Sequence, residues 1–229
     1  MNRKLFATAA ICCAALGANS AQAEIRITEW MYQGAPAPAV PPEAGEFIEL
    51  TNVGPAAVDM TGWSYDDSSN QPGPIDSLDL SAFGIVQPGE SVLITDWGAA
   101  LFAAAWSLPA STKIIGLSEE GLGRADQINI YDSSNTLVDR LDYDDQTLGH
   151  VRTRQVSANV ALLDLGTNDA GNAVTSVVGD SYGSYTNSRG DVGNPGYYAP
   201  VAVPEPSTVA LAGVAMTALA VAVRRKRSV

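Results

Sequence analysis

The chain has 229 residues, with 25 acidic against 13 basic side chains, one histidine and a formal net charge of −12. The basic residues crowd the ends: between Glu24 and Val203 there are 24 Asp or Glu against 7 Lys or Arg, a balance of −17. A stretch this acidic repels nucleic acid and anionic lipid. Both cysteines, Cys12 and Cys13, precede Glu24, so neither a disulfide framework nor a zinc site is expected beyond that point.

Taken in chain order, residues 1–23 have the three parts of a secretory signal peptide. Arg3 and Lys4 are the basic start, Leu5 to Leu16 the apolar run, and Ala21-Gln22-Ala23 the small-x-small site for signal peptidase. Cleavage is expected after Ala23. Acylation at Cys12 is disfavoured, because Ala10-Ile11 place that cysteine in the middle of the apolar run.

Residues 24–197 suit one domain of ordinary size, able to bury a core without a metal or disulfide staple. The signal in it is β. Ile25 to Thr28 alternates, Glu46 to Thr51 follows the Pro-rich loop Pro36 to Pro42, and Val58-Asp59-Met60 leads through Thr61-Gly62 into Trp63-Ser64-Tyr65. Gln87-Pro88-Gly89-Glu90 reads as a tight turn into Ser91 to Thr95. One helix is expected over Ala99 to Trp106, with Asp96 as its candidate cap. Ile128 to Tyr131 then turns through Asp132-Ser133-Ser134-Asn135 into Leu137 to Tyr143, a hairpin. Short strands, regular turns and a single helix predict an all-β sandwich. Trp63 is expected in the core, and Glu49 is expected partly buried, paired with backbone or with a cation such as Arg26.

Three patterns invite a chemical reading. Gly179-Asp180-Ser181-Tyr182-Gly183 matches G-x-S-x-G, yet a nucleophile elbow needs a strand before it and a helix after it, and the turn-rich 184–196 supplies no helix. His150 also lies upstream of Ser181, the wrong order for an α/β-hydrolase. A serine hydrolase using Ser181 is therefore the weakest of the alternatives, and no catalytic residue is assigned. Calcium is the better rival: Asp66 and Asp67, with Asp76 and Asp79, and Asp142, Asp144 and Asp145 offer hard oxygen ligands in loops, although neither group fits an EF-hand or nonapeptide pattern. Clustered Asp in turns is ordinarily solvated, so no cofactor is assigned. Arg189-Gly190-Asp191 is a tripeptide known from integrin ligands and is read as coincidence.

After a linker at 198–203 come Pro204-Glu205-Pro206, an apolar span over residues 207–223 and the basic end Arg224-Arg225-Lys226-Arg227. The 17-residue span would reach ~25 Å as a helix against a hydrocarbon core of ~30 Å, enough for a single short transmembrane helix. The cations keep its end cytoplasmic, which puts the acidic domain outside the inner membrane. Pro204 and Pro206 hold the motif extended beside the membrane.

This ending resembles the PEP-CTERM sorting signal of Gram-negative bacteria, with motif, span and basic end in order over residues 204–227. The resemblance implies recognition by an exosortase-type transpeptidase, a transient stay in the inner membrane, and delivery to the cell surface or extracellular matrix. The domain itself resembles the lamin-tail domain. Ile25-Arg26-Ile27-Thr28-Glu29, Gly45-Glu46-Phe47-Ile48-Glu49-Leu50-Thr51-Asn52 and Val58-Asp59-Met60-Thr61-Gly62-Trp63 with Asp66 carry the likeness. Val86-Gln87-Pro88-Gly89-Glu90, Asp126, Asp139 and Gly193-Asn194-Pro195-Gly196 continue it in order, while Asp144 to Tyr185 is longer and more polar than usual. That resemblance implies an immunoglobulin-like β-sandwich serving as a binding or spacer module, with an exopolysaccharide or another surface protein as partner. Calcium-dependent adhesion is the alternative function.

Overall fold

The computed structural model describes residues 24–35, 45–75 and 77–198. The expected signal peptide with Ala21 and Ala23, the Pro-rich loop 36–42, Asp76, the motif Pro204-Glu205-Pro206, the apolar span and Arg224 to Arg227 lie outside the described residues.

The described chain forms strands β1 (Ile25–Met31), β2 (Phe47–Asn52), β3 (Val58–Asp59), β4 (Ser64–Asp66), β5 (Leu78–Asp79), β6 (Ile85–Val86) and β7 (Ser91–Thr95). There follow α1 (Ala99–Trp106), β8 (Lys113–Ile115), β9 (Ala125–Tyr131), β10 (Leu137–Asp144), β11 (Ala158–Asn159), β12 (Val174–Thr175), β13 (Tyr185–Thr186) and β14 (Val192–Gly193). The architecture is all-β with one short α-helix, consistent with the immunoglobulin-like sandwich that the resemblance implies. A six-stranded sheet ordered β12-β11-β1-β2-β7-β8 and a four-stranded sheet ordered β10-β9-β4-β5 carry most of it, with β3-β6 and β13-β14 as small ribbons. Within the large sheet only β7 and β8 run parallel. They can do so because α1 lies between them in sequence and provides the crossover that a parallel pair needs.

The main core fills the space between the two large sheets. One cross-strand row of the six-stranded sheet reads Ala158, Trp30, Ile48, Ile94, Ile115, and these residues join Ile25, Ile27, Leu50 and Val92 in that core. The four-stranded sheet contributes Tyr65, Ile128, Ile130, Leu141 and Tyr143. Trp63, just before β4, is half-buried and packs against the same core. The inward alternation of β1 breaks at Thr28, where a bulge lets Ile27 pair with Leu50 and Glu29 with Glu49. The inward series therefore runs Ile25, Ile27, Trp30.

A second core lies on the outer face of the six-stranded sheet. There α1 lays Phe102, Ala105 and Trp106 over Met31, Phe47, Leu93 and Trp97, with Phe47 edge-on to Phe102 and Trp106 at ring separations of 5.6 and 5.9 Å. Burial of such side chains contributes about 1.5–3 kcal/mol each. The helix starts at Gly98 with no side-chain cap, so Asp96 does not cap it. Its carboxylate instead accepts the Gly45 and Glu46 amides at 3.1 and 3.0 Å and pins the entrance to β2.

Candidate functional site: a buried carboxyl seam and an acidic rim

The outer face of the large sheet changes from apolar to polar away from α1. The row beside the core row reads Asn159, Glu29, Glu49, Leu93 across β11, β1, β2 and β7. Two glutamates therefore sit directly opposite each other, and both are wholly inaccessible to solvent. Glu49 accepts the Thr28 hydroxyl on Oε1 at 2.7 Å and the Gly196 amide on Oε2 at 2.6 Å. Glu29 accepts the Ser157 hydroxyl and, at 2.9 Å, the Asn194 amide on Oε1, while its Oε2 has no partner. Burial pushes Glu49 up to about 7, against the pull of its hydrogen bonds from Thr28 and Gly196. Burial, and then the charge of Glu49, hold Glu29 well above the ordinary carboxyl range. Arg26, the expected partner of Glu49, pairs instead with Glu24 at 2.7 Å and donates to the Val138 carbonyl. The backbone half of that expectation holds, through Gly196.

The cover over this seam is the last stretch of the described residues, 193–198. Asn194 Oδ1 accepts from Asn159 Nδ2 at 2.9 Å and from Ser184 Oγ at 3.1 Å, and Asn194 Nδ2 donates to the Tyr197 carbonyl at 2.8 Å. Gly193 lies so close to the sheet that a Cβ there would stand 2.7 Å from Ser157 Oγ and 2.9 Å from Glu29 Oε1. Gly196 adopts φ +90°, a left-handed conformation that turns its amide onto Glu49 and that side chains disfavour. Tyr198 closes the segment with its hydroxyl donating to the Val160 carbonyl at 2.9 Å.

The aspartates considered for calcium fall into two places. Asp66, at the end of β4, is buried and accepts the Ser69 hydroxyl and the Gln71 amide, the latter at 2.6 Å. Asp67 beside it accepts the Ser69 amide. Glu120, from the loop between β8 and β9, completes a group whose carboxylate oxygens lie within 4.8 Å of one another. Burial first, then the charges of Asp67 and Asp66, raise Glu120. Asp79 is spent on the Ser81 amide. Asp142 is exposed and accepts from Gln127 Nε2, and Asp144 caps its own turn through the Gln146 amide and Thr147 hydroxyl. Asp145 is neutralised by Arg124 at 2.7 Å and Arg152 at 3.5 Å, with the Tyr32 hydroxyl donating to it at 2.7 Å. The hydrogen bond from Arg124 holds it below the usual carboxylate range.

Ser181 lies exposed in a tight turn organised by Asp180, whose carboxylate accepts the amides of Val177, Tyr182 and Ser184 and the Ser184 hydroxyl. Among the described residues the turn leads into the short strand β13 and not into a helix, so the elbow geometry is lacking there. Asp191 of the Arg-Gly-Asp tripeptide is buried and accepts the Ala35 amide at 2.8 Å, while Arg189 stacks over Trp97 at 5.5 Å. Asp191 is thus used inside the fold, and Arg189 lies exposed over the Trp97 ring.

The Lamin Tail Domain family model matches residues 18–145, more than half of the chain. The chain belongs to the lamin tail domain family. A second model, the PEP-CTERM protein-sorting motif, matches residues 202–227, so the protein carries an export and cell-envelope sorting signal. No curated protein and no solved structure matches the chain. In this lamin tail domain the family match ends within a residue of the end of β10, yet β11 to β14 and the cover 193–198 complete the outer face of the sheet. The residues that sequence reasoning missed belong to this closing part. Ser157, Asn159 and Ser176 are polar and sit in short runs among turns, and nothing in their spacing marks them as wholly buried. Glu120 likewise joins Asp66 and Asp67 only through a loop crossing from the far edge of the other sheet.

Proposed function

We propose that this protein is an exported, non-catalytic lamin tail module that is sorted to the cell surface or matrix and acts there as a binding or spacer unit. The observation that carries this reading is the pairing, in one chain, of a folded lamin tail domain with a sorting motif at residues 202–227. In this reading signal peptidase cuts after Ala23, residues 24–197 form the exported sandwich, and residues 207–223 hold the inner membrane until an exosortase-type enzyme reads Pro204-Glu205-Pro206. Arg224, Arg225, Lys226 and Arg227 keep the far end cytoplasmic. Among the described residues no helix is long and apolar enough to cross a membrane, and the proposed span lies beyond them. An exopolysaccharide or another surface protein is the partner class that suits an acidic, exported module. Replacing Pro204-Glu205-Pro206 with three alanines is expected to trap the protein in the inner-membrane fraction. An unchanged distribution among cell fractions would refute the sorting reading.

A second reading, calcium-dependent adhesion, is favoured by one observation: the convergence of Asp66, Asp67 and Glu120 oxygens on hard-cation chemistry. Thermal unfolding with calcium and with chelator decides it. An unchanged midpoint removes this reading and leaves the first intact.

A further inference from the structure

The seam has a feature that a purely structural cover does not need. Like charges directly opposite on one sheet face repel, and Glu29 and Glu49 are opposed in register with both carboxyls enclosed. No lysine or arginine forms an ion pair with either among the described residues. The groups that face the pair from the neighbouring elements add no positive charge. From β11 and its approach come Asn159 and Ser157, and from β7 comes Ser91. Beyond them lie Asp180 from the turn before β13, Tyr185 from β13, and Tyr198 from the cover. A pair in this setting holds one proton. The donors converge on Glu49, with hydroxyl and amide on separate oxygens, which marks it as the ionised member. Glu29, with Oε2 unpartnered, is the member that carries the proton.

The same two carboxyls hold the cover through the Asn194 and Gly196 amides. We propose that Glu29 and Glu49 are a one-proton latch: with the proton present, residues 193–198 dock on the sheet, and loss of the proton releases them. Any state that admits water to the carboxyls binds their protons less tightly than the docked state does, so rising pH favours the undocked state. The cover is also the stretch from which the chain continues to the sorting motif. This inference does not depend on what the sandwich binds.

The test is hydrogen exchange of the full chain in detergent from pH 6 to pH 9, with intrinsic exchange rates divided out. Protection of residues 193–198 is expected to fall up to tenfold per pH unit over the range where the docked state holds the proton and the undocked state has lost it, while the β9–β10 hairpin keeps its protection. Glu29→Gln removes the proton-bearing carboxyl and is expected to leave protection of the cover flat from pH 7 to pH 9; Glu49→Gln keeps that carboxyl but removes the charge beside it, and is expected to make the fall level off at lower pH, which gives the reading if the first variant does not fold. Flat protection in the unaltered chain would overturn the latch. So would a loss shared equally by the hairpin, a loss above pH 7 that persists in Glu29→Gln, or a fall that levels off no earlier in Glu49→Gln than in the unaltered chain.

Discussion

Asn194→Ala tests how the cover is held. The side chain makes four hydrogen bonds: it accepts from Asn159 Nδ2 and Ser184 Oγ, and it donates to Asn159 Oδ1 at 3.3 Å and to the Tyr197 carbonyl at 2.8 Å. Two of the partners keep a second contact after truncation. Asn159 Nδ2 still donates to Ser176 Oγ at 3.1 Å, and Ser184 Oγ still donates to Asp180 at 2.9 Å. Asn159 Oδ1 is left buried and unpaired, which is the costlier outcome. With about 1 kcal/mol for each retained-partner loss or exposed bond and slightly more for the orphaned oxygen, the whole change is about 4–5 kcal/mol. For a domain of this size that is a fall in Tm of roughly 8–20 °C. Thermal unfolding of residues 24–203, followed by near-ultraviolet circular dichroism, measures it. Ser181→Ala, in an exposed turn, is the control and is expected to move Tm by less than about 2 °C. If Asn194→Ala moves Tm no more than Ser181→Ala does, the network does not hold the cover and the reasoning fails.

Three further outcomes are expected. Glu46 is pushed up to about 8, first by burial and against its hydrogen bond from the Leu122 amide. A carboxyl raised in the folded state contributes its stability in full below its unfolded value and loses it as pH rises through the folded one. The Tm is therefore expected to fall from pH 5 to pH 9, by a free energy of several kcal/mol at about 1.4 kcal/mol per pH unit. Glu46→Gln should lessen that slope, leaving the part that Glu29 and Glu49 carry, and an equally steep fall in the variant would show that Glu46 contributes nothing to it. Trp106→Ala removes a fully buried ring that contacts Phe47, Phe102 and Tyr185, and is expected to cost about 3–5 kcal/mol in urea unfolding. Gly193→Ala places a methyl against Ser157 and Glu29 and is expected to destabilise by about 1–3 kcal/mol, because backbone and sheet must move apart. A neutral result would mean that the cover packs more loosely than its geometry implies.

Local pattern was enough for most of the sheet framework. The alternation in Ile25 to Thr28, the runs Phe47 to Thr51 and Ser91 to Thr95, and the hairpin at Asp132 to Asn135 each report a strand from neighbouring residues alone, and the structure has strands there. The helix at Ala99 to Trp106 was equally legible, whereas its cap was not, since Asp96 was claimed by the amides of Gly45 and Glu46, about 50 residues away in sequence. Two-residue strands such as β11 and β12 carry no periodicity to read, and they pair only because β1 offers an edge.

The sequence by itself determined the family, the acidic and thiol-free character of residues 24–203, and the sorting motif at residues 202–227, because motif and strand alternation are written in adjacent residues. Only the tertiary structure decided that Glu29 and Glu49 face each other without a cation, that Arg26 serves Glu24 instead, and that Gly193 to Tyr198 roofs them. Those facts depend on strand register and on contacts more than 100 residues apart, such as Asn194 to Glu29 and Gly196 to Glu49. Burial of a polar residue is a property of what folds over it, and in this chain the covering segment follows the strands it covers by more than 100 residues.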